Sequence, residues 1–103
     1  PMALCYGAND PVVFGGNSTA AATYFAAHTA AGVVTRMDVE DASTVGTALA
    51  GGFAQAVQAT ADAATAAGGN GTQEVLLSYH GSLVPPFCAV AVRSFFQQVL
   101  AAS

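Results

Sequence analysis

The rhythm of apolar and polar positions changes several times along this chain, and each change marks an element. Residues 2–8, MALCYGA, form a short apolar run without periodicity, the pattern of a strand buried on both faces. Asn9-Asp10-Pro11 breaks the run. Val12, Val13 and Phe14 are apolar again, and Gly15-Gly16 turns the chain. Asn17 or Ser18 then serves as the N-cap of a helix over residues 18–28, with Tyr24 and Phe25 as bulky contacts and Gly32 as the stop. Residues 33–39 alternate through VTRMDV and read as a second strand. The order strand, acid-bearing loop, helix, strand predicts two parallel strands joined by a right-handed crossover.

Residues 40–44 are a polar connection. Val45, Leu49, Phe53 and Val57 recur every four residues, a helical stripe, and Gly51-Gly52 predicts a kink or a break into two helices. The stripe fades through an Ala/Thr stretch to Ala67, and Gly68-Gly69-Asn70-Gly71 reads as a flexible loop. Residues 73–79 are apolar and fit a strand and a short helix equally. His80-Gly81 opens a loop that ends in Pro85-Pro86. Residues 87–101 form an amphipathic helix with proline at its start, Val92, Phe95, Phe96 and Val99 lying on one face and Val90, Arg93, Gln97 and Ala101 on the other. This alternation predicts an α/β layered fold in one domain over residues 1–103. Two or three strands are too few for a sheet covered on both faces, so the sheet is expected to be completed from its N-terminal side by another segment.

Composition sharpens that expectation. Only 8% of the residues are charged, against roughly 25% in an average domain, and 53% are hydrophobic. Such a chain either presents a weakly charged Ala/Gly/Ser/Thr surface or has much of its surface covered by a second polypeptide. An uninterrupted apolar run of about 20 residues is missing, so no membrane span is expected. The net charge of −4 and the lack of any lysine argue against nucleic-acid binding and against a basic membrane-surface helix. Cys5 and Cys88 match no zinc spacing, and no metal or cofactor is expected. The two cysteines either pair as a disulfide, which points to a secreted or periplasmic setting, or are two buried thiols; both readings stay open. No leader pattern is visible within these residues.

The candidate chemistry lies in two loops. Asp10 sits just past the carboxyl end of a buried strand, where ligands gather in open α/β sheets. His80 sits in a Gly/Pro-bounded loop ahead of the last helix. Taken locally, Asp10 also fits the cap of an Asn-Asp-Pro turn, and His80 a solvated loop residue.

The stretches LCYGANDPVVF and SYHGSLVPPFCAVAVRSFF together resemble the C-terminal part of an α/β-hydrolase serine esterase or lipase. In that family the triad runs Ser, then Asp or Glu, then His, with the acid after a late strand. The resemblance covers most of the chain except residues 44–72, a helical excursion read as packing. It implies that Asp10 is the acid and His80 the base, with Phe14, Leu83 and Val84 as acyl-pocket walls if they are not core residues. No G-x-S-x-G occurs in the chain. The nucleophilic serine and the oxyanion donors are therefore expected on an N-terminal segment of the same hydrolase, in a processed or heteromeric protein acting on small ester substrates. The competing expectations are a non-catalytic α/β binding or structural subunit and, more distantly, a tautomerase using the Pro1 amine as base. His28 reads as a helix-end polar residue, Tyr6 and Tyr79 as packing residues, and Asp38, Glu40 and Asp41 as a solvated acidic group.

Overall fold

The computed structural model describes residues 1–12, 15–30 and 32–102. Strands β1 (Met2–Tyr6) and β2 (Val34–Asp38) pair in parallel, Met2 opposite Val34 and Tyr6 opposite Asp38, and α1 (Gly15–His28) connects them. This register brings the carboxyl ends of both strands to one edge. Val39 N–H donates to the Tyr6 carbonyl at 3.0 Å, and Ala8 N–H to Asp38 Oδ1 at 3.2 Å. The loop after β1 and the turn after β2 are thereby held side by side.

Everything that follows is helical. Helix α2 (Ala42–Val45) is a single turn, capped by Asp41 Oδ1, which accepts from Ser43 N–H at 2.9 Å. Helix α3 (Thr47–Ala66) runs unbroken through Gly51-Gly52; the break falls instead at Gly46, whose φ of 90° suits only glycine. Gly52 serves packing, not kinking: a Cβ there would meet the Phe87 ring at 3.4 Å. Helix α4 (Gly71–Ser78) starts at Asn70, whose side chain accepts from Gln73 N–H at 3.0 Å.

The expected loop around His80 does not form. Residues Tyr79–Leu83 make a π-helical turn that leads directly into α5 (Val84–Ala101). Val84 N–H reaches back five residues to the Tyr79 carbonyl. Pro85 and Pro86 cannot donate, so the ordinary hydrogen-bond ladder must break at this point. The chain takes the break as one widened turn inside a continuous helix, Gly71–Ala101. That helix is long and apolar enough to cross a membrane by length and composition, because it runs through the glycine and the polar residues that interrupt the apolar sequence. Only 22% of its most apolar window is buried within the protein.

Among the described residues there is no α/β-hydrolase sheet: they are mostly helical, and the two described strands form one small sheet. The Ala-rich middle of the chain, residues 47–66, builds a helix, and residues 73–78 form a helix too, not a third strand. The core lies between α3, the π turn and the strands. Phe53 is its centre, meeting the rings of Tyr79 and Phe87 edge-on at 5.6 and 5.4 Å, with Val39, Leu83 and Val84 around it. A disulfide joins Cys5 of β1 to Cys88 of α5, with the Cα atoms 5.7 Å apart.

Candidate active site

Asp10 and His80, 70 positions apart in sequence, meet at the carboxyl edge of the strands. His80 Nδ1 lies 2.6 Å from Asp10 Oδ2. The Asp10 side chain is only 7% exposed, whereas the imidazole is 47% exposed. A sheltered carboxylate thus holds one ring nitrogen of a half-open histidine, donating in the tautomer that the contact selects.

Each side chain is aimed by its own local structure. After Tyr6, Gly7 turns the chain beneath Tyr79; a Cβ on Gly7 would stand 2.3 Å from the Tyr79 hydroxyl, so only glycine allows this approach. Asp10 N–H donates to the Gly7 carbonyl at 3.3 Å, closing the turn. The second Asp10 oxygen, Oδ1, accepts from Val12 N–H at 2.8 Å across Pro11. Asp10 is therefore both the turn cap and the partner of His80. On the other side, the π turn sends consecutive residues opposite ways: Tyr79 into the core and His80 out toward Asp10.

Three further polar residues lie beside the pair, and the sequence offered them no role in a site: Tyr79 reads there as a packing residue, Asp38 and Glu40 as solvated acids. Glu40, in the turn after β2, accepts from Asn9 N–H at 2.8 Å and from Asn9 Nδ2 at 3.1 Å. It also accepts a short hydrogen bond from the Tyr79 hydroxyl. Asp38 is buried, and its Oδ1 accepts from Glu40 N–H at 3.0 Å as well as from Ala8. The solvated acidic group expected at residues 38–41 is corrected at Asp38, which is buried; Glu40 is exposed to solvent while it accepts from Asn9 and Tyr79, and Asp41 caps α2. The available signal was the parallel pairing itself, because residues just past two parallel strands must be neighbours. Burial pushes the Tyr79 phenol well above the usual tyrosine range, and the Glu40 carboxylate pushes it further in the same direction. The hydroxyl therefore stays a donor.

The remaining candidates separate cleanly. Leu83 and Val84 are packed into the hydrophobic core with Phe53 and Tyr79, as the core-packing alternative has it. Phe14 lies outside the described residues. His28 stacks on Tyr24, ring centroids 4.2 Å apart, with Nδ1 at 2.7 Å from the Tyr24 carbonyl, a local helix-end arrangement. Ser78 donates to Glu74 at 3.2 Å along one helix face. No family model, curated protein or solved structure matches the chain.

Proposed function

We propose that this chain supplies the acid and the base of a serine hydrolase acting on carboxylic esters, the nucleophilic serine and oxyanion donors coming from another polypeptide segment. One observation carries the reading: a sheltered carboxylate holds Nδ1 of a half-exposed imidazole at 2.6 Å, across 70 residues of chain. That is the arrangement a general base needs. The carboxylate fixes the ring and its tautomer, and the unprotonated Nε2 is left to work.

The chemistry follows. His80 Nε2 takes the proton of a serine hydroxyl as the oxygen attacks the ester carbonyl. The tetrahedral intermediate collapses, the C–O bond to the alcohol breaks, and the imidazolium returns its proton to the departing alkoxide. Water then attacks the acyl-enzyme, gives its proton to His80, and the serine recovers it as the acid leaves. Asp10 stabilises the imidazolium in both halves without itself taking a proton. The resemblance of the Asp10 and His80 stretches to the hydrolase triad order supports this assignment of roles, whereas the fold lends it nothing.

The test is a fluorophosphonate probe applied to the chain as purified with its natural companions. The expected result is a labelled serine on a co-purifying polypeptide, with labelling lost in His80→Ala while the chain stays folded. No labelled companion, or labelling indifferent to His80→Ala, points instead to the non-catalytic binding or structural subunit.

A further inference from the structure

We propose that Glu40 is the positioning residue of the pair: its carboxylate ties Asn9 to Tyr79, the chain neighbours of Asp10 and His80, and so sets how the carboxylate and the imidazole face each other. The functional weight of this rests on the hydrolase reading, but the geometric role is testable without it.

The acid and the base ride on unrelated elements. Asp10 belongs to the loop after β1, His80 to the π turn of the long helix, and nothing in the backbone ladder joins those two. Glu40 belongs to a third element, the turn after β2, and reaches both. Three donors converge on its two oxygens: Asn9 N–H, Asn9 Nδ2–H and the Tyr79 hydroxyl. A carboxylate is the one side chain that can meet them all, being acceptor-only with two oxygens. A glutamine would place a donor among donors. Glu40 is in turn anchored through its own N–H on the buried Asp38. The Tyr79 ring is fixed by Phe53 and the core. The clamp thus runs from the core to the loop, and it ends one residue short of each member of the pair. The loop and the π turn also meet at the Asp10–His80 contact, where Gly7 passes beneath Tyr79, and at Asn9 N–H, a long contact 3.4 Å from the Tyr79 hydroxyl.

The experiment reads the His80 tautomer directly, by long-range proton–nitrogen NMR of the imidazole nitrogens in the protein, with the ring neutral. Wild type is expected to show a single Nδ1–H tautomer. Glu40→Ala, Glu40→Gln and Tyr79→Phe are expected to show a mixture, moving toward the spectrum of Asp10→Ala. Tyr79→Phe is nearly isosteric and keeps the core, so it decides the matter if Glu40→Ala fails to fold. In the fluorophosphonate-reactive complex the same variants are expected to lower kcat by on the order of tenfold to a hundredfold, with KM little changed and Glu40→Gln the mildest. A wild-type tautomer spectrum in both Tyr79→Phe and Glu40→Gln overturns the proposal. A tautomer shift with no labelled serine anywhere leaves the clamp standing and removes the hydrolase; a labelled serine with an unchanged tautomer does the reverse.

Discussion

Asp10 divides its two oxygens between two tasks, and the division can be separated by substitution. Oδ1 caps the turn through Val12 N–H, and Oδ2 faces His80. Asparagine keeps a carbonyl oxygen for the cap but brings no charge to the imidazole. Alanine loses both. Asp10→Asn is therefore expected to unfold in urea close to wild type, and Asp10→Ala to lose about 1 kcal/mol, the ordinary worth of such a cap. Under the proposed hydrolase reading both lose ester hydrolysis, Asp10→Asn by about 10⁴-fold. Equal stability losses in the two variants would mean that the cap contributes nothing. This contact was legible in the sequence because it depends on order along the chain: an acid after the first strand, a histidine before the last helix. The neighbours that hold it were not legible. Glu40 and Asp38 look like any pair of surface acids until the register of β1 against β2 puts them beside Ala8 and Asn9.

Among the elements, the π turn is where local sequence and final structure diverge most. His80-Gly81 and Pro85-Pro86 are turn signals, and they predict a loop. Packing decides otherwise, because Tyr79, Leu83 and Val84 all have to reach the core around Phe53. The widened turn lets them do so while the helix continues. The same logic carries α3 through Gly51-Gly52, because Leu49 before the glycines and Phe53 and Val57 after them pack into one core. The first half of the chain was more readable, since the apolar run, the capped helix and the alternating run each carry a plain local pattern, and a crossover of this length joins parallel strands. The one-residue surplus of the π turn yields a direct prediction. Such a turn absorbs one extra residue and leaves the helical segments on either side in phase, so deleting Gly81 returns the turn to ordinary spacing and keeps Cys88 facing Cys5 and Phe87 facing Phe53. The expected outcome is no titratable thiol in the denatured, unreduced deletion variant, as in the parent, with little change in helical circular dichroism. Two titratable thiols in that variant would show that α5 takes its register from the π turn itself.

The whole molecule is extended for its length, with principal extents of 51 × 28 × 19 Å and a radius of gyration of 15.2 Å, against about 13 Å for a compact chain of this size. Leu76, Leu77, Val90, Phe96 and Leu100 stand exposed along the one long helix. The β1 half and the helical half are joined by the core around Phe53, by the contacts of Asp10 and Glu40 with the π turn, and by one covalent bond. The Cys5–Cys88 bond is the strongest of them, and its placement matters more than its presence. Cys5 precedes Asp10 by one strand end and the loop, and Cys88 follows His80 within two turns of helix, so the bond ties together the two arms that present the acid and the base. It closes a loop with a sequence separation of 83. Chain-entropy arguments give such a closure on the order of 4–5 kcal/mol, a large share of the roughly 5–15 kcal/mol that holds a typical domain together. Cys5→Ser with Cys88→Ser, or reduction of the wild type, is expected to lower the urea midpoint by roughly a third of its value or more and to broaden the His80 imidazole signals before global unfolding. The measurement is urea denaturation followed by circular dichroism, with and without reductant, beside the imidazole spectrum. Coincident midpoints in the two conditions, with the tautomer unchanged after reduction, would mean that the core around Phe53 alone holds the two arms in place.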